Sequence, residues 1–312
     1  MNKFFQSKRL RLALLIVIPL FLALLFFFPT KQETFSGLMF KADQHFREKH
    51  YTQAVLVYLK VLKNYPHNEF EGTILLNIGD IYNYSLNSPE KAVKAYGQVL
   101  SRFPRSPEAR HAYQKQGDLY FSQGDYEKAL VSYQGLVDHF PNIPDVQEYR
   151  FKVAYAALKL KRYEPSRRQL MQMYEEDPNG AIADKILFHV GLTFFLEANV
   201  RQSVEVFEAF LERHGQTSNY TTDAQFYLAN GYEESGKFEE ALELFKKIRS
   251  TYPNPRIVEE KIQKLEEKIK KSNELKANAL KNSLQQIQTN KPQKKRTKVF
   301  DDEQFLLNPW GR

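Results

Sequence analysis

RHAYQKQGDLYFSQGDYEKALVSYQGLVDHFP, residues 110–141, contains a small residue, a glycine turn and a closing proline at spacings that suit two paired helices. A small residue such as Gly117 or Ala129 lets two antiparallel helices approach closely, and the tyrosines fill the space beside it. Glycine readily ends a helix in a turn, and proline cannot continue the helical hydrogen bonds. The stretch therefore predicts two helices that meet at Gly124, the second of which ends at Pro141.

The same arrangement recurs along the chain with a period near 37 residues. Pro66, Pro104, Pro141, Pro178 and Pro253 are separated by 38, 37, 37 and 75 residues, and Gly215 occupies the place that the longest gap leaves for another proline. A period of this length is typical of helical repeat proteins, in which stacked repeats bury one continuous core. We therefore expect six units, at residues 35–68, 72–106, 110–143, 147–180, 184–217 and 222–255.

Small and large side chains hold fixed places within these units. Counted back from the closing proline, or from Gly215 in the fifth unit, a small residue lies 12 positions before it, an aromatic residue or leucine 8 before it, and a second small residue about 24 before it. The three sets are Ala54, Ala92, Ala129, Ser166, Ser203 and Ala241; Tyr58, Tyr96, Tyr133, Leu170, Phe207 and Phe245; and Gly79, Gly117, Ala154, Gly191 and Ala229. These residues resemble the tetratricopeptide repeat (TPR) signature. The resemblance implies an all-α fold, a right-handed superhelical solenoid of about six helix-turn-helix repeats over residues 35–255.

An apolar run without charge precedes the repeats at residues 12–28, LALLIVIPLFLALLFFF. As a helix it would be about 25 Å long, which approaches the ~30 Å hydrocarbon core of a bilayer. We interpret residues 12–29 as one transmembrane signal anchor and residues 30–34 as a linker. The four Lys and Arg of residues 1–11 predict a cytoplasmic N-terminus, an inner-membrane location and repeats in the periplasm or extracytoplasmic space. A cleaved signal peptide and a buried helix are the alternatives.

The distribution of charge argues against nucleic acid as a partner, although the net charge is +8. The excess lies in residues 1–11, with four cations, and in residues 256–298, with 13 Lys and Arg against 5 Asp and Glu. The long middle of the chain is nearly neutral, so no basic groove for phosphates is expected. Cysteine is absent, which excludes disulfides, zinc-thiolate sites and a lipid anchor on an N-terminal cysteine.

Two segments follow the repeats. Residues 256–289 predict a helix that caps the last repeat, with a coiled-coil or partner helix and a basic surface-binding segment as alternatives. Its loose apolar face consists of Ile262, Leu265, Ile269, Leu280, Leu284 and Ile287. Residues 290–312 are interpreted as a disordered tail. The tail ends in an apolar cluster that we interpret as a short docking motif, with simple packing on a repeat as the alternative. That cluster is Phe305, Leu306, Leu307 and Trp310.

No motif for catalysis or for a cofactor stands out. The chain lacks a glycine-rich phosphate loop, H-E-x-x-H, G-x-S-x-G and the kinase motifs. His45 and His50 are the closest pair of histidines, and a spacing of five does not align two ligands on one face of a helix. Acidic pairs such as Glu239 and Glu240 fit solvated helix faces. We therefore expect neither an enzyme nor a metal or cofactor site.

The TPR resemblance implies a binding groove lined by the first helix of each repeat. On the family register the groove residues are Asn77, Asp80, Gln114, Lys115, Asp118, Phe151, Lys152, Tyr155, Phe188, His189, Phe226, Tyr227 and Asn230. The first half of this set is polar, whereas Phe151, Phe188 and Phe226 recur at one repeat position. An aromatic row beside polar anchors suits an extended or helical peptide. Packing of the rings between neighbouring helices is the alternative, and an extra residue near 83–91 could shift the register by one.

One subclass of TPR proteins binds the C-terminal carboxylate of chaperones with lysine, asparagine and further basic residues. Asn77 and Lys115 match that pattern, but Met39, Asp43 and His111 depart from it. The clamp is therefore incomplete, and capture of chaperone tails is not expected.

A membrane signal followed by exported TPRs instead resembles bacterial cell-envelope adaptors, such as the TPR lipoprotein of β-barrel assembly and the periplasmic TPR protein of the Tol-Pal system. The chain departs from the first by lacking an acylated cysteine and from the second by lacking an N-terminal coiled coil. The resemblance implies a non-catalytic, membrane-anchored scaffold that binds protein partners in an envelope complex. An exported module for envelope glycans or anionic surfaces and an organelle-membrane receptor are the alternatives.

Overall fold

The computed structural model describes residues 33–289, and within this range the chain is entirely helical, without a strand. The helices are α1 Phe35–Arg47, α2 Tyr51–Asn64, α3 Glu71–Asp80, α4 Pro89–Arg102, α5 Pro107–Ser122, α6 Tyr126–His139, α7 Val146–Lys159, α8 Tyr163–Glu176, α9 Ala183–Leu196, α10 Val200–His214, α11 Thr221–Glu234, α12 Phe238–Ile248 and α13 Pro255–Thr289. A π-helical turn, Ile81–Ser85, continues α3. The all-α prediction is confirmed.

Several predicted segments lie outside the described residues. They are the basic segment 1–11, the anchor 12–29 and the tail 290–312, including Phe305, Leu306, Leu307 and Trp310. Among residues 33–289, no helix combines the length and the apolar character that a membrane span requires.

Helices α1 to α12 form six successive pairs, and the chain divides into two compact units between Glu176 and Asp177. Unit 1 contains α1 to α8 and unit 2 contains α9 to α13. Helices of a pair approach closely where a glycine of the first helix faces a buried ring of the second. Gly117 faces Tyr133 in unit 1, and Gly191 faces Phe207 in unit 2. The predicted spacing of small and aromatic residues thus produces the packing within a pair.

The turn within each pair has the same backbone conformation. The residue two positions before the second helix has a positive φ angle, between 46° and 79°. These residues are Lys49, Asn87, Gly124, Lys161, Ala198 and Gly236. The prediction that the helices of residues 110–141 meet at Gly124 is confirmed, and Gly236 occupies the equivalent turn. In the other four turns a residue with a side chain adopts this left-handed conformation, which costs about 1–2 kcal/mol for most residues.

The extra residue of the second repeat is accommodated by the π-helical turn. Leu86 N–H donates to the Ile81 carbonyl at 3.0 Å, which closes the wider ring of a π-helix. Such a turn absorbs one inserted residue within an otherwise regular helix. Because the turn follows Asp80, the residues of α3 before it keep their places relative to the neighbouring helices.

Helix α13 caps unit 2 with its first part only. Val258, Ile262 and Leu265 are buried in one cluster with Phe245 and Ile248 of α12. Farther along the helix Leu275, Leu280 and Leu284 are exposed. The segment therefore covers the last pair over about three turns and continues beyond it as a solvated helix.

Candidate protein-binding site

Three polar clusters repeat along unit 1. Each contains an aspartate from the first helix of a pair and a tyrosine from the second helix, whose hydroxyl donates a hydrogen bond to that aspartate. A third residue comes from the first helix of the next pair. The first cluster is Asp43, Tyr58 and Asn77, the second is Asp80, Tyr96 and Lys115, and the third is Asp118, Tyr133 and Lys152. The hydroxyl-to-carboxylate distances are 2.6, 2.8 and 2.7 Å in that order.

Burial fixes these tyrosines as hydrogen-bond donors. Tyr58, Tyr96 and Tyr133 are almost fully buried, because their rings fill the space between paired helices. Burial, and then the neighbouring carboxylate, raises the pKa of each hydroxyl above its usual range. The hydroxyls therefore stay protonated at physiological pH, and each one orients a carboxylate that remains partly open to solvent.

A lysine balances the charge of the second and third clusters. Lys115 Nζ lies 3.1 Å from Asp80 Oδ1 and 5.1 Å from the centre of the Tyr84 ring. Lys152 Nζ lies 2.7 Å from Asp118 Oδ1 and 5.2 Å from the centre of the Tyr133 ring. Each ammonium group thus has one carboxylate and one aromatic neighbour, and the two attractions act together.

The first cluster lacks such a lysine. Asn77 occupies the corresponding place and lies beside the Tyr58 hydroxyl. Among residues 33–289, Asp43 accepts the Tyr58 hydroxyl, and no lysine, arginine or histidine forms an ion pair with it. Within the described part of the chain the Asp43 carboxylate therefore has a tyrosine donor but no ion-pair partner, and Arg47 Nε donates to the Asp43 backbone carbonyl instead.

A pocket of about 450 Å³ opens at this first cluster. It is lined by Asp43, Phe46, Tyr58, Asn77, Asp80, Ile81, Tyr84 and Ser85. Phe46 and Tyr84 are 46% and 69% exposed, so two accessible rings flank the carboxylates. Pockets that bind ligands commonly measure 300–1,000 Å³. The arrangement suits recognition of a positively charged or hydrogen-bond-donating group.

Five of the predicted groove residues belong to these clusters: Asn77, Asp80, Lys115, Asp118 and Lys152. Gln114 is half-buried on α5 and is not part of them. Six of the eight pocket residues were not predicted as groove residues, namely Asp43, Phe46, Tyr58, Ile81, Tyr84 and Ser85. The signal for Asp43 was present, because Asp43, Asp80 and Asp118 are spaced 37 and 38 residues apart.

Two of the three rings in the predicted aromatic row, Phe151 and Phe188, are buried. In unit 1, Phe151 is only 4% exposed and stacks on Tyr155 with 5.8 Å between ring centres. In unit 2, Phe188 is 5% exposed and stacks on Tyr220 at 4.7 Å. Packing against other rings, rather than an open row, describes both: Tyr155 of the same helix lies against Phe151, and Tyr220, which precedes α11, lies against Phe188.

The remaining predicted residues of unit 2 also take part in packing. Phe226 stacks on Tyr252 at 4.5 Å, and Tyr227 stacks on Phe207 at 5.6 Å. Asn230 is 8% exposed and donates from Nδ2 to the Phe226 carbonyl. These side chains support the aromatic core of unit 2, in which Asn230 is buried and Phe226 and Tyr227 are half-buried.

His189 is likewise buried, at 7% exposure, with Nδ1 2.7 Å from the Lys185 carbonyl oxygen. Burial lowers the pKa of the imidazole to about 4. The ring is therefore neutral at physiological pH and belongs to the core.

One cluster of potential metal ligands contradicts the argument from sequence spacing. Ligand atoms of His45, Glu48 and His50 lie within 4.8 Å of one another. The spacing argument assumed one continuous helix, but α1 ends at Arg47 and the following turn at Lys49 brings His50 back towards His45. Glu48 and His50 are exposed, and their carboxylate and imidazole atoms are 3.4 Å apart.

Comparison with known proteins supports the repeat type. One tetratricopeptide repeat family model matches residues 81–142 and 114–181, and a second tetratricopeptide repeat model matches residues 223–255. The first model covers the whole third polar cluster, and Tyr96 and Lys115 of the second.

A curated relative is trafficking protein particle complex subunit 12 of Mus musculus, 25% identical over 178 residues. The match covers 55% of this chain and 21% of the mouse protein, so the chain spans about a fifth of that relative's length. Similar solved structures include a tetratricopeptide repeat protein from Parabacteroides merdae, which is 16% identical with a TM-score of 0.45. The match covers 74% of this chain and 98% of the Parabacteroides merdae chain. YrrB, described as a TPR protein with an unusual peptide-binding site, has 18% identity, 64% and 94% coverage, and a TM-score of 0.47.

Proposed function

Because the chain carries tetratricopeptide repeats, we propose that it is a non-catalytic scaffold that binds a segment of a partner protein at the polar clusters of unit 1. The observation that carries this proposal is the pocket at the first cluster, which a carboxylate without an ion-pair partner and two exposed rings line together. Aromatic and charged groups around a pocket are common anchors of protein recognition. Of the aromatic groove residues predicted in unit 2, Phe188 is buried and Phe226 and Tyr227 are half-buried and stacked on other rings, which favours unit 1 as the binding surface.

We further propose that the scaffold is anchored in the inner membrane and helps to assemble or organise a cell-envelope complex. The uncharged run at residues 12–28 and the four cations before it support this proposal. Anchoring would confine the repeats near membrane-bound partners and raise the effective concentration of both.

Site-specific photocrosslinking tests the binding surface. A photoreactive phenylalanine replaces Tyr84 at the pocket rim, and a matched variant carries it at Val131 on α6, which is 64% exposed. After irradiation of intact cells that express the full chain, we expect a discrete crosslinked protein with the Tyr84 probe and none with the Val131 probe. The absence of a product at Tyr84, or the same product at both positions, would contradict binding at this pocket.

Cysteine labelling tests the membrane proposal, because the natural chain has no cysteine. Ser7→Cys and Ser101→Cys place one thiol before residues 12–28 and one within the repeats. In intact spheroplasts, a membrane-impermeant maleimide should label Cys at position 101 and leave position 7 unlabelled until the membrane is opened. Release of the full chain by alkaline carbonate, or labelling of both positions, would refute a retained single span with this orientation.

A further inference from the structure

We propose that the pocket at the first polar cluster binds a cationic side chain, lysine or arginine, that the partner segment supplies. This inference rests on the proposed function and specifies the chemistry of the partner. The incoming cation would take the place that a lysine of this chain occupies in each of the two following clusters.

The argument begins with the repeat itself. Asn77, Lys115 and Lys152 are spaced 38 and 37 residues apart and occupy the same place on α3, α5 and α7. In the second and third clusters the lysine reaches the aspartate of the preceding pair. The asparagine side chain is shorter and uncharged, so in the first cluster the aspartate keeps its tyrosine donor but lacks the cation.

The pocket supplies both kinds of group that hold the internal lysines. Asp43 provides a half-buried carboxylate that is already oriented by the Tyr58 hydroxyl. Phe46 and Tyr84 provide ring faces, and Tyr84 already accommodates the Lys115 ammonium at 5.1 Å. A second cation in the pocket would gain an ion pair with Asp43 and contact with an aromatic face, in a setting less screened than open water.

The charge of the pocket selects the class of ligand. Asp43 and Asp80 both line it, and Lys115 pairs with Asp80, which leaves one negative charge. A phosphate or carboxylate group of a partner would be repelled by Asp43. A lysine or arginine side chain adds an apolar stem that can lie against Phe46 while the cation reaches the carboxylate.

Two substitutions at one position separate this proposal from a general effect on the fold. Asn77→Lys restores the pattern of the other clusters, so its ammonium should pair with Asp43 and occupy the pocket. Asn77→Gln is the matched control, because it lengthens the side chain without adding charge. Asp43→Asn removes the charge and retains an acceptor for Tyr58.

The probe is Nα-acetyl-lysine N-methylamide, with the norleucine analogue as the uncharged control. The full chain in detergent micelles is labelled at isoleucine methyl groups, and the Ile81 methyl, which lines the pocket, is followed with Ile248 of unit 2 as the reference. We expect the lysine probe to shift the Ile81 signal saturably at millimolar concentration in the natural protein and in Asn77→Gln. The shift should be at least tenfold smaller in Asn77→Lys and in Asp43→Asn, and the arginine analogue should behave as the lysine probe does.

An equal shift with norleucine, no shift with lysine or arginine, or an unchanged shift in Asn77→Lys would overturn the cation pocket. The crosslinking experiment at Tyr84 distinguishes this failure from that of the proposed function. A crosslinked partner without any response to the lysine probe would support the scaffold and refute the cation pocket. A lysine response without a crosslinked partner supports the pocket and counts against the scaffold.

Discussion

Gly117 of α5 lies directly against the ring of Tyr133 on α6, so close that a Cβ atom on Gly117 would be 2.6 Å from Tyr133 Cε1. The same ring donates its hydroxyl to Asp118 at 2.7 Å. One tyrosine therefore joins the close packing of a helix pair to the polar cluster at its surface. Substitutions on either side of the ring separate the two contributions.

Replacing Gly117 by alanine should lower the free energy of unfolding by about 1–3 kcal/mol, because the buried ring cannot move away from the new methyl group. Gly97→Ala on α4 is the control, since a Cβ atom there meets only Gln116 Nε2, at 3.7 Å. Gly97→Ala should raise the free energy of unfolding by up to about 1 kcal/mol, because alanine has a higher helix propensity than glycine. Urea unfolding followed by circular dichroism measures both, and equal effects of the two variants would disprove the proposed contact.

Removing the Tyr133 hydroxyl tests the polar side of the ring. Tyr133→Phe should lower the free energy of unfolding by about 1–2 kcal/mol, because the Tyr133 hydroxyl donates a hydrogen bond to the Asp118 carboxylate. Tyr126→Phe on the same helix is the control, because the Tyr126 hydroxyl makes no hydrogen bond among the described residues. We expect it to change the free energy of unfolding by less than about 0.5 kcal/mol. Urea unfolding provides the comparison, and a loss as large in Tyr126→Phe would show that the hydrogen bond to Asp118 adds nothing specific.

The turns within the pairs predict a reciprocal exchange. Ala198 has a φ of 57° and Gly124 a φ of 78° at equivalent positions, and a Cβ atom on Gly124 would meet nothing within 4 Å. Only backbone conformation then distinguishes the two residues. Ala198→Gly should stabilise the chain by up to about 1 kcal/mol, and Gly124→Ala should destabilise it by about 1–2 kcal/mol. Thermal unfolding scans should therefore shift in opposite directions, and shifts of the same sign would contradict this explanation.

The sequence predicts the packing of the pairs better than the exposure of their faces. The repeat spacing placed Gly117 24 residues and Tyr133 8 residues before Pro141, because close helix approach requires a small residue at a fixed distance from a large one. Exposure depends on what the neighbouring helix supplies. Phe188 occupies a groove position of the family register, but Tyr220 precedes α11 and covers it. No periodicity within α9 could reveal that contact.

The pocket was only partly predictable for a related reason. Asp80 and Lys115 could be selected one repeat at a time, but the significance of Asp43 emerges only when three clusters are compared and the first lacks its lysine. Tyr84 lies in the π-helical turn, whose wider ring depends on the one extra residue of that repeat. Sequence register is least informative where an insertion has changed the helix.

His189 makes the stability of unit 2 sensitive to acid. Burial lowers the pKa of the imidazole to about 4, from an ordinary value near 6.5 in an unfolded chain. Between these values the unfolded chain binds a proton that the folded chain does not, so acid favours unfolding. The stability linked to His189 is fully present above pH 6.5 and falls by about 3 kcal/mol as the pH is lowered to 4.

The matched variant for this prediction is His189→Gln, in which the side-chain amide can still donate to the Lys185 carbonyl and carries no titratable proton. Asp223 of unit 2 also titrates in acid, because burial raises its pKa, so the difference between the natural protein and the variant is the informative quantity. Urea unfolding at pH 7, 6, 5 and 4 should show the natural protein losing more stability than His189→Gln, with most of the difference below pH 6. Parallel pH profiles of the two proteins would show that His189 does not stay neutral in the folded core.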